Sequence, residues 1–410
     1  MAKVQSRPVR VLHAIALEGV GGVETLYHGY LTHARKEELE LHTLILHGRC
    51  HPNFLPAVAE CSASVHYARY WNGVKIPPWP PAFRKRHLEG VLAKVHPDVM
   101  VLQNSLGNRP LWEGVMEHDS AKVYYDQGAA WIVPHSDALK EFLAGTDKVI
   151  CGCRATGRML ELRWSLPLGR TEIVGSTTRP ALAVHEVHPK KLDRSRKLIL
   201  GTASRLIPIK GIPVALHALR ELRKAGIDCE LRIAGKGPDE EKLRQLAARL
   251  EIAGAVTFLG LVTEMAEFYS GIDIFLCPSL REPFATVCVE AGHFGCPVIC
   301  TAVDGFPEIV LDGVTGFCVP PSLPQGAYDE MGGDSAGLPE WVYDPATDNL
   351  AHPRPADPAR IAARICHLRE RSGAYEQMSN AAHERATSHF ALDKYVGALN
   401  KVTLDAASRT

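Results

Sequence analysis

DIFLCPSLREPFATVCVEAGHFGCPVICT, residues 273–301, reads as one strand, one helix and a second strand. The apolar run DIFLCPS (273–279) suits a strand buried on both faces, and PVICT (297–301) suits another. The stretch from about Phe284 to Phe294 between them reads as a helix, and Gly295 ends it. Strands linked through a helix pair in parallel.

The same alternation extends in both directions. Upstream, KLILGTAS (197–204), CELRIAG (229–235) and VTFLG (256–260) read as strands. Helices are expected from Pro213 to Gly226 and from about Pro238 to Leu250. The first half repeats the scheme with VRVLHAIA (9–16), LHTLILH (41–47), DVMVL (98–102), AKVYY (121–125) and DKVIC (147–151). The fold class is therefore α/β with parallel, doubly wound sheets. At 410 residues the chain needs more than one domain. We expect a first Rossmann-like domain over 1–180 and a second over 195–385. Residues 386–410 should form a helix that packs back on the first domain. Residues 320–358 are rich in Pro, Gly, Ser and Asp and lack helical period, so they read as a long loop.

Composition excludes several classes. With 46% hydrophobic and 22% charged residues, the chain is not mainly disordered. No run of about 18 apolar residues suggests a membrane span. The opening MAKVQSRPVRVLHAIA has no secretory pattern, so a cytoplasmic location is expected. Lys+Arg and Asp+Glu number 46 each, which argues against nucleic acid as a partner. The 11 cysteines, mostly in apolar runs, read as buried free thiols. Neither the Cys151/Cys153 pair nor the scattered histidines suggest a metal site.

Three clusters carry possible chemistry. In the first, Glu282 precedes the helix of the opening segment and Glu290 lies two turns inside it. The start of that helix, near Ala285, Thr286 and Val287, should attract an anion. Glu290 would then be placed to accept hydrogen bonds from vicinal hydroxyls such as those of a ribose. On spacing alone, helix capping or a solvated face is the better account. In the second, Arg205 and Lys210 follow a strand end, where open α/β sheets place ligands, and both could meet one diphosphate. Two solvated loop charges are the plainer account. The third comprises the post-strand glycines Gly21–Gly22 and Gly235–Lys236–Gly237, which would permit close backbone approach.

Taken in order, GGVE (21–24), R-x4-KG (205–211), GKGP (235–238), EPFATVCVE (282–290) and DGFPEIVLDGVTGF (304–317) resemble glycosyltransferase family 4, most closely over about 195–320. The resemblance implies the GT-B fold, two Rossmann-like domains facing across a cleft. It also implies a retaining enzyme that moves a hexose-type sugar from a UDP- or GDP-sugar to a glycan or glycolipid. No permanently bound cofactor is implied. Arg205 and Lys210 would neutralise the donor diphosphate and Glu290 would hold the ribose. Glu282 would contact the transferred sugar, with Phe284, Ala285, Thr286 and Val287 nearby. Gly21, Gly22 and Gly235 would let backbone approach the donor. The chain has no D-x-D motif, so no bridging metal is expected. Where many family members carry a histidine, this chain has Tyr124-Tyr125-Asp126-Gln127-Gly128, so Asp126 or Gln127 would contact the sugar. The usual Gly-Gly before Pro-Glu is replaced by Gly305-Phe306. A nucleotide-sugar epimerase or a non-catalytic binding protein on the same fold remains an alternative.

WNGVKIPPWPPAFRKRH (71–87) mixes Trp71, Trp79 and Phe83 with Lys75, Arg84, Lys85 and Arg86. This suits peripheral contact with an anionic membrane, at its inner face, or else a plain surface loop leading into a basic helix. Residues 1–180 carry 21 Lys+Arg against 17 Asp+Glu, a mild surplus in the same sense.

Overall fold

A computed structural model describes residues 7–408. The chain divides into two compact units. One is formed by residues up to Ser176 together with those from Leu392 onward, and the other by Thr177–Ala391.

The first unit is built on a seven-stranded parallel sheet. Its strands are β1 (Val9–Leu17), β2 (Leu39–Cys50), β3 (Ser64–Tyr67), β6 (Val99–Gln103), β7 (Ala121–Asp126), β8 (Lys148–Cys151) and β9 (Thr171–Ile173). Their order is β3-β2-β1-β6-β7-β8-β9. A small antiparallel hairpin, β4 (Tyr70–Trp71) and β5 (Val74–Lys75), stands apart from it. β1 is central and nearly all buried, which is why its sequence is apolar without alternation. Val11, Ile15, Val101 and Val123 form a core with Tyr27 and Tyr30 of helix Gly22–His33. The last helix, Leu392–Ala407, puts Tyr395, Val396, Leu399 and Val402 into that core.

The second unit has six parallel strands: β10 (Leu198–Ala203), β11 (Cys229–Ala234), β12 (Val256–Gly260), β13 (Ile274–Cys277), β14 (Val298–Thr301) and β15 (Gly316–Val319). Their order is β12-β11-β10-β13-β14-β15. β13 and β14 are the two strands of the opening segment, paired in parallel with Phe275 opposite Val298. In both sheets the strand order reverses beside the first strand, the place where such folds hold ligands.

Residues 320–358 differ from the expected loop. They contain helix Gly326–Glu330 and a hairpin of β16 (Val342–Asp344) and β17 (Asn349–Ala351). The segment is anchored by separate side chains. Tyr328 is fully buried, with its hydroxyl 2.5 Å from the Pro208 carbonyl, and Val342 and Tyr343 are also buried. Three anchors at irregular spacing produce no period to read. Short strands were missed for the same reason: β3 is only half-buried, and β15 is four residues long.

Candidate functional site

In the second unit, the loops after β10, β11 and β13 are drawn together at the carboxyl ends of the strands. Glycine makes this possible. Gly235 has φ +126°, and a Cβ there would lie 1.9 Å from the Ser204 carbonyl oxygen. Gly211 has φ +65°, and its Cβ would lie 1.9 Å from the Pro278 carbonyl oxygen. These are backbone overlaps that no side chain can tolerate. Backbone bonds stitch the same loops, Leu206 N–H to Lys236 O at 3.0 Å and Leu280 N–H to Ile209 O at 2.9 Å.

Lys210 and Glu282 meet on this platform, with Nζ 2.5 Å from Oε2. Glu282 is buried and Lys210 half-buried, so this ion pair is shielded more than a surface pair. Arg205 is exposed at the start of the same loop. Asp304, to which the sequence analysis gave no role, organises the loop. Buried, with φ +48°, it accepts the Glu282 N–H at 2.8 Å on Oδ2 and the Tyr343 N–H at 2.7 Å on Oδ1. Asp tolerates this left-handed backbone better than most residues. The β16–β17 hairpin is thereby tied to the loop that carries Glu282. Phe306 is fully buried and packs in the core.

The helix after the loop is Thr286–His293, with Ala285 as its N-cap. Of the amides expected to face an anion, that of Thr286 donates instead to the Phe284 carbonyl at 3.1 Å. Val287 is half-buried, and the Phe284 ring meets Phe390 edge-on at 5.9 Å.

Glu290 is 1% exposed, and its carboxylate is already engaged. Arg179 donates from Nε at 2.5 Å and from Nη2 at 2.7 Å, and the Tyr269 hydroxyl donates at 2.8 Å. Desolvation would lower the Arg179 pKa, but hydrogen bonding and charge attraction from Glu290 outweigh it and raise it. Burial first, then the Glu290 charge, pushes the Tyr269 hydroxyl far up. A carboxylate has about four lone-pair positions, and three are taken. A ribose holding both hydroxyls on Glu290 would have to displace Arg179. Arg179 lies 111 residues before Glu290 and is not among the site residues expected from sequence.

In the first unit the expected sugar contact divides. Asp126 is fully buried and accepts from the Tyr124 hydroxyl at 2.7 Å, Gly128 N–H at 2.7 Å and Ala130 N–H at 3.0 Å. Its carboxylate holds the turn into helix Ala129–Ile132. Gln127 is different: it is half-buried, and its amide lies by the Tyr125 hydroxyl. Gly21 and Gly22 are exposed at the start of helix Gly22–His33. The Gly21 N–H donates to Glu24 Oε2 at 3.1 Å, so this amide is capped by its own helix.

Unit 1 also contains a pocket of about 490 Å³ that the sequence did not announce. It opens at the carboxyl ends of β1, β2 and β6, where Ala16, His47 and Gln103 line it. His13 lies beneath it, fully buried, and burial lowers its pKa to about 3. As a neutral ring it can accept from Gln103 Nε2, 3.1 Å from its Nδ1. That leaves the Gln103 carbonyl as an acceptor. Beside the pocket, Trp71, Val74, Trp79 and Phe83 are exposed. Of the basic run that follows, Arg84 lines the pocket and Lys85 pairs with Glu117 at 2.8 Å. Among the described residues no helix is long and apolar enough to cross a membrane.

Comparison with known proteins agrees with this chemistry. Residues 184–331, all within the second unit, match the family profile of glycosyl transferases group 1. A D-inositol 3-phosphate glycosyltransferase of Stackebrandtia nassauensis is 36% identical over 133 residues, 30% of each chain. A putative colanic acid biosynthesis glycosyltransferase, WcaL, of Salmonella typhimurium is 32% identical over 127 residues, 29% of this chain and 31% of its own. The chain thus spans about a third of the length of these curated relatives. Anabaena HepE, crystallised in complex with UDP, superposes with a TM-score of 0.73 at 15% identity, covering 97% of this chain and all of its own. That likeness identifies the fold as GT-B.

Proposed function

We propose that this chain, whose residues 184–331 match the glycosyl transferases group 1, moves a hexose-type sugar from a UDP- or GDP-sugar to a glycan or glycolipid acceptor, with retention. The observation that carries the reading is the glycine-locked platform at the carboxyl ends of β10, β11 and β13, with Lys210 and Glu282 paired on it. Arg205 and Lys210 would face the donor diphosphate, where fixed cations stabilise the charge that grows on the leaving group. Glu282 would orient the sugar, and Glu290 would receive the ribose once Arg179 gives way. The bond between the anomeric carbon and the phosphate oxygen breaks. The acceptor oxygen bonds to the same face, and its proton passes to the leaving phosphate. This step requires no protein nucleophile and no bridging metal.

The pocket of the first unit would take the acceptor, and Gln127 would offer its amide to a sugar hydroxyl. The exposed Trp71, Val74, Trp79 and Phe83 would rest on an anionic membrane, a peripheral arrangement suited to glycolipid work at its cytoplasmic face. Relatives named for inositol phosphate and colanic acid support a sugar or polysaccharide acceptor.

The test is a thermal-shift panel of UDP, GDP, ADP and their sugars, with and without Mg²⁺. One diphosphate should stabilise the protein without metal. Lys210→Ala should weaken the diphosphate more than the monophosphate, and equal loss of both would remove Lys210 from that role. Turnover of a nucleotide-sugar with no acceptor present would favour an epimerase.

A further inference from the structure

The first unit's pocket is lined by two guanidinium groups, those of Arg69 and Arg84. Arg69 follows β3, and Arg84 lies in the first turn of helix Ala82–Val95. Both line the pocket, and neither makes an ion pair among the described residues. Arg84 donates from Nη2 to the Ile76 carbonyl at 3.3 Å, and its Nε is buried without a partner. Desolvation first, and then the Arg69 charge, lower the Arg84 pKa, so the two cations burden one another. Glu24 is the one carboxylate among the lining residues, and it is turned back onto the Gly21 N–H.

A second observation is independent of the charges. Ser105, 5% exposed and also lining the pocket, has a buried hydroxyl with no hydrogen-bond partner. Gln103 and Asn108 line the same pocket. Buried polar groups are ordinarily satisfied, and like charges are ordinarily kept apart. A pocket that violates both rules is completed by something that enters it.

We infer that this pocket binds a phosphate monoester on a hydroxyl-bearing body, with Arg69 and Arg84 clamping the phosphate and Ser105, Asn108 and Gln103 meeting the hydroxyls. A monoester carries close to two negative charges near neutral pH, which matches two guanidinium groups. Planar guanidinium donors also suit phosphate oxygens. The inference rests on the pocket being the acceptor side, and it makes the acceptor a phosphorylated sugar or polyol, either soluble or as the headgroup of a lipid.

The experiment is titration calorimetry on the full chain with inorganic phosphate, glucose 6-phosphate and glucose. R69Q/R84Q should bind phosphate at least about tenfold more weakly than the wild type, the loss expected for a charge-assisted pair. Glucose 6-phosphate should exceed glucose in the wild type only. Unchanged phosphate affinity in R69Q/R84Q, or no difference between the two sugars in the wild type, overturns the inference. R69Q alone should leave the melting temperature unchanged or higher, because it relieves like-charge repulsion. A clear drop would mark Arg69 as structural. Sedimentation with phosphatidylinositol phosphate vesicles but not phosphatidylcholine vesicles, lost in R69Q/R84Q, assigns the phosphate to a lipid. Binding of glucose 6-phosphate without sedimentation assigns it to a soluble acceptor. UDP and GDP binding is read separately, since R69Q/R84Q leaves the second unit intact. If phosphate binds here but no nucleotide binds anywhere, glycosyl transfer fails and the anion pocket stands.

Discussion

Replacing Glu290 by Ala should destabilise the second unit by about 3 kcal/mol. Three donors converge on this carboxylate, two from Arg179 and one from Tyr269. Removing it leaves the fully buried Tyr269 hydroxyl unpaired, a loss of about 1–3 kcal/mol. It also strands the Arg179 guanidinium. Breaking one side of a buried ion pair costs about 3–5 kcal/mol, but the Arg179 side chain is 30% exposed and can rehydrate in part, so the low end applies. Urea denaturation followed by circular dichroism measures the change directly. Glu290→Gln, which keeps the shape and loses the charge, should fall between the two. Wild-type stability in Glu290→Ala would refute the triad and return Glu290 to the role of a free ligand group. Arg179→Ala separates the two uses of the carboxylate: if ribose displaces Arg179, this variant binds nucleoside diphosphate more tightly than the wild type.

Other predictions follow from the same geometry. Asp304→Ala deprives two backbone N–H groups of a charged acceptor and should cost about 3 kcal/mol, with faster hydrogen exchange at Glu282 and Tyr343 as the local sign. Gly235→Ala puts a methyl into the Ser204 carbonyl and should cost more than about 2 kcal/mol, whereas Gly397→Ala, exposed in the last helix with open space around it, should add about 0.5–1 kcal/mol, both measured by urea denaturation. His13 has a folded pKa of about 3 against 6.5 unfolded, so the unfolded chain takes up its proton first as pH falls. Stability of the first unit should therefore fall as pH drops from 6.5 toward 3, by up to about 1.4 kcal/mol per unit, and His13→Asn should flatten that slope in denaturation curves taken across the range.

The strand–helix alternation was legible because both sheets are buried on two faces, which writes unbroken apolar runs into the sequence. The loops that carry Arg205, Lys210, Gly235 and Glu282 were legible for a related reason: each follows such a run. What joins them was less so. Arg179 and Glu290 lie 111 residues apart, and nothing local in either says that they pair. The pocket arginines were visible only as members of a basic run, and the fold alone turns Arg84 inward while Lys85 meets Glu117. The local role of Asp126 was legible. An Asp whose side chain accepts from residues two and four further on is a helix-start signal, and a glycine stands at the first of those positions.

The first unit is sewn from the two ends of the described chain, and this sets an order of events during synthesis. Its core lacks Tyr395, Val396, Leu399 and Val402 until the whole of the second unit has left the ribosome. At about 1.5–3 kcal/mol for each large side chain buried, that final helix is worth as much as the net stability of a typical domain. The nascent first unit must therefore wait, with an open groove over β1, β6 and β7, while some two hundred residues are added behind it. A chaperone has its longest opportunity there, and a stop codon a few residues before Leu392 would spare the later-made unit and ruin the earlier one.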